Sequence, residues 1–255
     1  MPNRELPRGS RSRDVIVRFS HIDAAGIVFY PRYIEMLAQA FPELAPANAP
    51  FTLEINFLKP TALGARLTLT IDASAPQADW RLSGVAGGEE QFTMVWQPGT
   101  DAPLQPEDHD PGRPAFRSDA MRVGAWAARP DAQLQVSRYY EFVNSAIEQW
   151  FENELGLSFS KLHADRAGIP TVSLRTRCAE LPRLGEEIRI WIRPTRIGSR
   201  SVRFESWLVS DRGCLAKTSQ VIVFVRLEQH GFRSAPLPQA LRPRLLRHLA
   251  HTKPE

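Results

Sequence analysis

The stretch from His21 to Tyr33, HIDAAGIVFYPRY, carries the residues of this chain best suited to chemistry. Asp23 sits in a loop of small residues, Gly26 follows, and an apolar run leads to Pro31. From there Tyr33, Met36, Leu37, Ala40 and Phe41 fall on one stripe of a helix. A carboxylate just ahead of a helix start can serve as a nucleophile or as a general base on water. Unpaired N–H groups of the first turn, around Phe29 and Tyr30, together with the positive end of the helix dipole, can polarise a carbonyl oxygen placed beside them. Gly26 permits close backbone approach. The competing reading of Asp23 is a helix-capping or turn aspartate.

The elements that must position this loop follow from hydrophobic period. Residues 1–12 are basic and aperiodic and read as a loose tail, and Val15 to Phe19 predicts a short strand. Pro31 suits a first helical turn, and Pro42 ends the helix in the loop PELAPANAP. The period then changes to two. Phe51 to Phe57, Leu67 to Ile71, Trp80 to Val85 and Gln91 to Trp96 predict four strands. Residues dense in Pro, Asp and Gly then divide the chain into a first unit over 13–97, a linker over 98–117 and a second unit over 118–250.

The second unit repeats the first. PRYIEMLAQAF at 31–41 matches SRYYEFVNSAI at 137–147 in every apolar position, 106 residues later. Ser137 is the expected N-cap of that helix. Val172 to Cys178 alternates as Phe51 to Phe57 does, and Leu184-Gly185 follows Leu63-Gly64 at a distance of 121 residues. The difference between the two offsets places a longer helix and helix–strand connection in the second copy. Strands over Ile188–Ile192, Ser201–Leu208 and Ala216–Leu227 complete the unit, and RPRLLRHLAH predicts a short terminal helix.

HIDAAGIVFYPRY resembles the opening motif of the 4-hydroxybenzoyl-CoA thioesterase family of hotdog-fold thioesterases, through Asp23, Ala25-Gly26-Ile27-Val28, Tyr30 and Tyr33. The resemblance implies an α+β fold, each copy a curved antiparallel sheet wrapped around a long central helix, the two copies forming a tandem double hotdog. It implies hydrolysis of aryl- or short acyl-CoA thioesters, with Asp23 as nucleophile or base and Gly26 and Tyr30 beside it. Val28 and Phe29 would line the substrate, and the acyl group or pantetheine would lie near Tyr30. A basic cluster in the second copy, with Arg196 and Arg200 foremost, would meet the CoA phosphates. The first copy offers only Arg81 at the matching place. The competing reading of these arginines is a solvated strand edge. In the second copy, RPDAQLQVSRYYE lays Asp131-Ala132 on Asp23-Ala24 only when two residues are deleted, and the glycine is gone. This favours a decayed site with Asp131 as a surface loop residue, the alternative being a second, altered site.

Composition bounds the rest. A net charge of +4 and a pI near 9.4 fit an anionic partner, but no aromatic-basic motif supports nucleic acid. Two distant cysteines outside any CxxC pattern argue against a disulfide scaffold or zinc site and for a reducing compartment. The N-terminus has no apolar signal region and no stretch approaches a membrane span, so a cytoplasmic protein is expected. The expected partner is a small acyl-CoA, with no cofactor, metal, nucleic acid or membrane. The two copies act as an intramolecular pseudo-dimer, with further homo-oligomerisation open. The second hypothesis is a non-catalytic hotdog that binds acyl-CoA or an acyl carrier.

Overall fold

A computed structural model describes residues 9–42, 50–72, 79–99, 104–105, 108, 114–228 and 231–251. The first half runs β1 (Ser10–Ile16), a 3-10 turn (Phe19–His21), α1 (Tyr30–Ala40), β2 (Phe51–Phe57), β3 (Arg66–Asp72), β4 (Trp80–Ala86) and β5 (Glu89–Pro98). The second half begins with β6 (Phe116–Arg117) and β7 (Met121–Arg122), a 3-10 turn (Ala125–Ala127) and α2 (Val136–Gln149), which continues as a π-helical turn (Trp150–Glu154). It goes on through α3 (Phe159–Ala164), β8 (Ala167–Gly168), β9 (Thr171–Cys178), β10 (Glu187–Ile197), β11 (Ser201–Ser210) and β12 (Gly213–Val223). β13 (Val225–Glu228), β14 (Gly231–Ser234) and α4 (Leu241–His251) end it.

The main sheet is antiparallel, in the order β1-β3-β4-β5-β2-β9-β12-β11-β10-β6, with β7 also on β10. From either edge inward, the order is first, third, fourth, fifth and second long-sheet strand of that half. The halves meet at β2 and β9, paired from Phe51 opposite Cys178 to Asn56 opposite Ser173, with Glu54 facing Arg175 at the centre. Alternation makes this work. Phe51, Leu53 and Ile55 point into the core, while Thr52, Glu54 and Asn56 point out.

α1 and α2 pack side by side on the inner face. The Tyr30 hydroxyl donates to the carbonyl of Tyr140 at 3.1 Å. Arg32 lies 2.5 Å from Glu35 and 3.0 Å from Glu141, and Arg138 lies 2.6 Å from Glu141. Inside the second half, buried hydroxyls satisfy one another. Tyr139 and Thr218 are 2.7 Å apart, Thr218 and Thr176 are 2.7 Å apart, and Tyr140 donates to Thr176 at 2.7 Å. On the outer face Asp108, from the predicted linker, is 1% exposed and accepts from Arg177 and Lys217, each at 2.8 Å.

Several boundaries differ from the sequence reading, among them the strand expected over Ala216–Leu227, which breaks at Phe224 into β12 and β13. β1 starts at Ser10 and stops at Ile16, so part of the supposed tail is an edge strand and Phe19 belongs to a 3-10 turn. Polar and charged residues on both faces hide this strand's alternation, as edge strands often do. Ser137 is not the N-cap: Gln135 holds that place, and Ser137 is buried within α2. Phe116–Arg117 already pairs with β10, which moves the linker's end forward; much of the remaining linker lies outside the described residues. Both cysteines are free. Among the described residues no helix is long and apolar enough to cross a membrane, and no cluster of His, Cys, Asp or Glu could hold a metal.

Candidate active site

The loop around Asp23 is a tight turn stapled to its surroundings by backbone hydrogen bonds. Asp23 N–H donates to Ile27 at 2.8 Å, and Gly26 N–H returns to the Asp23 carbonyl at 3.0 Å. Asp at the first and Gly at the fourth position is the pattern this turn prefers, and Gly26 takes φ +77°, which an L side chain rarely adopts. Val28 N–H donates to Thr61 at 2.9 Å, tying the loop to the turn before β3.

One oxygen of Asp23 is held by its own loop. Oδ1 accepts from Ala25 N–H at 2.8 Å and from Ile27 N–H at 3.4 Å, leaving Oδ2 without a hydrogen-bond partner among the described residues. Asp23 is exposed, and the surface it exposes is the wall of a cavity of about 730 Å³. Desolvation by the surrounding atoms pushes the carboxyl above its ordinary value, against the opposing pull of those two N–H groups and of His163.

The cavity lies between the halves. The first half contributes the loop, Val28, Phe29, Tyr30, Tyr33 and Phe57. The second half contributes Asn144 and Glu148 of α2, His163 of α3 and apolar residues of β8, β9, β12, β13 and β14. Asn144 donates to Glu148 at 2.7 Å, and burial raises the Glu148 carboxyl while that hydrogen bond opposes the rise. These polar residues escaped the sequence reading. Asn144 and Glu148 are one turn apart beside the apolar stripe of their helix, and the added length of the second copy was the only pointer to His163.

The other expected residues divide. Val28 and Phe29 line the cavity as expected. Phe29 N–H, however, donates to the His21 carbonyl at 2.9 Å and is not available to a ligand. Tyr30 N–H, at the first residue of α1, has no acceptor among the described residues. The Tyr30 ring lines the cavity, but its hydroxyl is committed to Tyr140, and burial pushes the phenol far up, so it stays protonated. Arg196 and Arg200 are exposed and do not line the cavity. They lie at the end of β10 and in the turn to β11, where the Arg200 carbonyl accepts from Phe224 between cavity residues Val223 and Val225. A separate groove of about 340 Å³ crosses the outer sheet face, away from Asp23, and its Arg177 and Lys217 are already paired with Asp108.

The loop of the second half corrects the expected alignment. Arg129 N–H donates to Gln133 at 2.7 Å, and Ala132 N–H to Arg129 at 2.9 Å, reproducing the pattern of Asp23, Ile27 and Gly26. The shift is 106 residues throughout, with no deletion. Arg129 therefore stands where Asp23 stands, and Ala132, at φ +64°, replaces Gly26. Asp131 sits two positions further on, exposed, 2.5 Å from the Arg129 guanidinium, which holds its carboxyl below the usual range. A residue-type match of Asp-Ala on Asp-Ala concealed this, because the turn keeps its hydrogen bonds while changing its residues.

Residues 130–245 match the family model of the thioesterase-like superfamily. No curated protein matches the sequence. Among solved structures, a protein assigned as an oleoyl thioesterase from Lactobacillus plantarum superposes with a TM-score of 0.61 at 10% identity, over 87% of this chain and 98% of its own. An acyl-ACP thioesterase from Bacteroides thetaiotaomicron superposes with a TM-score of 0.55 at 9% identity, over 84% of this chain and 97% of its own. Residues 130–245 are therefore similar to the thioesterase-like superfamily, and nearly the whole length of the chain shares the fold of these two solved structures.

Proposed function

We propose that this chain is a tandem double hotdog that hydrolyses acyl-CoA thioesters to the free acid and CoA at a single site centred on Asp23. The observation that carries the reading is the asymmetry of the twin loops. Asp23 lines a cavity walled by both halves and keeps one carboxylate oxygen without a hydrogen-bond partner among the described residues, while the equivalent position holds Arg129 in an ion pair. The match of residues 130–245 to the thioesterase-like superfamily and the fold shared with two thioesterases support the same reaction class.

In this mechanism the thioester carbonyl lies against Asp23 Oδ2, with Tyr30 N–H donating to its oxygen as negative charge develops there. Asp23 either attacks the carbonyl carbon, releasing CoA thiolate and leaving a mixed anhydride that water opens, or takes a proton from the attacking water. Tyr30 serves through its ring and backbone rather than its hydroxyl. Arg196 and Arg200 lie outside the cavity, where the Arg200 carbonyl meets Phe224 at the foot of β13, and an unchanged KM in the Arg196→Ala/Arg200→Ala double variant would separate them from the CoA phosphates.

Thiol release from a panel of acyl-CoAs, compared with Asp23→Asn, tests the proposal. The expected result is a loss of at least about a hundredfold in kcat/KM for the variant. No release by the native protein refutes hydrolysis and favours the non-catalytic acyl-CoA- or acyl-carrier-binding reading, and equal release by Asp23→Asn refutes the role of Asp23.

A further inference from the structure

The second half exceeds the first in two places, and the two excesses build one object. The first is the helix–strand connection that contains α3 and β8. The second is the chain beyond β12, which forms β13 and β14. They lie about sixty residues apart in sequence but pair directly, Val225 with Gly168 and Arg226 with Ala167. Leu227 N–H adds a bond to Arg166 at 2.8 Å and Val223 N–H one to Pro170 at 3.1 Å. The result is a separate three-stranded sheet, β14-β13-β8, outside the main one.

This small sheet and α3 supply much of the second half's wall of the cavity. α3 contributes Phe159, Leu162 and the polar Ser160 and His163, Ile169 follows β8, and β13 and β14 contribute the apolar Val225, Leu227 and Phe232, with Leu227 opposite Phe232 in the strand register. We infer that the cap of α3, β8, β13 and β14 is the acyl-chain end of the cavity, and that it selects linear acyl groups of roughly eight to fourteen carbons. The inference rests on the proposed thioester hydrolysis and narrows its substrate.

Size decides between acyl classes. A methylene takes about the room of a water molecule, ~30 Å³, so the cavity of about 730 Å³ holds roughly two dozen such groups. A pantetheine arm fills roughly half of that, leaving space for about ten carbons. An aryl group would leave most of the cap's apolar wall uncovered. Because burying each methylene is favourable, kcat/KM is expected to rise about fourfold per carbon until the cap is reached.

The test is hydrolysis of butanoyl- to octadecanoyl-CoA and benzoyl-CoA by the native protein and by Leu227→Trp, Ile169→Trp and Phe232→Ala, each checked by thermal unfolding. The tryptophan variants add bulk worth about two methylenes and lower the dodecanoyl-to-hexanoyl preference about fifteenfold, while Phe232→Ala moves the optimum to longer chains. Hydrolysis that peaks at benzoyl or butanoyl, or a length profile that all three variants leave in place, overturns the inference and leaves the thioesterase reading standing. If the native protein hydrolyses nothing, that reading fails instead, and calorimetric affinity for butanoyl- and dodecanoyl-CoA decides the inference. Tighter binding of the longer chain, weakened by Leu227→Trp, upholds it, and affinity independent of length overturns it.

Discussion

Exchanging the residues at one turn position between the two halves tests the correspondence on which the single-site reading depends. Gly26 and Ala132 occupy equivalent places with φ +77° and φ +64°. A Cβ built on Gly26 meets nothing within 4 Å, so Gly26→Ala carries only the penalty of the left-handed backbone. That penalty is roughly 1–2 kcal/mol for an L-residue, offset by about 0.4–1 kcal/mol from the stiffer unfolded chain. The net is a loss of about 1 kcal/mol, and Ala132→Gly should gain about as much, each moving Tm by roughly 2–4 °C in opposite directions. In the second loop Pro130 sits at the second turn position, where its fixed φ presets the bend and helps Ala132 to persist. Urea unfolding of both variants measures the pair. A loss well above 3 kcal/mol for Gly26→Ala, or a destabilised Ala132→Gly, would mean that the two turns are not equivalent, and the placement of Arg129 on Asp23 would fall with them.

Other outcomes follow from the charges. Hydrolysis requires Asp23 ionised, and desolvation raises its carboxyl, so kcat/KM should climb with pH through a value above the ordinary aspartate range; a rate already flat at pH 4 would contradict this. The same shift has a stability consequence. A raised folded-state value favours the folded protein at low pH and loses that contribution as pH rises through it, so Asp23→Asn should unfold at higher temperature than native near pH 7, with the gain vanishing in acid. Asp108 is the reverse case. Burial alone would raise it, but hydrogen bonds from Lys217, the Gln105 N–H and Arg177 outweigh that and hold it low. Asp108→Ala should therefore cost about 1–3 kcal/mol at neutral pH, with the difference from native shrinking as pH falls below the ordinary carboxylate range; equal stability at pH 7 would show that the strap is incidental.

The long strands and both central helices were legible because each keeps one period over its length. β2 reads FTLEINF with every second residue in the core, and α1 carries one apolar stripe. What escaped has a physical reason in each case. β1 is an edge strand whose SRSRD start is polar on both faces, so no alternation marks it. The C-terminal strand was read as continuous from Ala216 to Leu227, yet Phe224 breaks the ladder and β13 leaves for another sheet. Side-chain type and spacing do not report which sheet an apolar strand joins. Asp23 stands out as a candidate in the sequence because turn, glycine and helix start are contiguous there. Its cavity partners Asn144, Glu148 and His163 come from the other half and are joined to it only by folding.

On the proposed reading, that division of labour makes one competent loop sufficient in a chain of two copies. In a symmetric pair, each loop would face the same partner surface and both would have to serve. Here the surface facing Asp23 is built from α3, β8, β13 and β14, which the first half lacks among its described residues. The first loop then has a carboxylate on a cavity, while the second closes its turn without one. Arg129 does this: its guanidinium binds Asp131 and Gln133, closing the turn with side-chain bonds where the first loop uses the Asp23 carboxylate and its backbone N–H groups. An arginine in that place offers no nucleophile and no base at neutral pH. On the proposed reading, the residue that leaves the second loop without a carboxylate is the one that closes its turn, and the added elements of the second half supply the wall that the first loop uses.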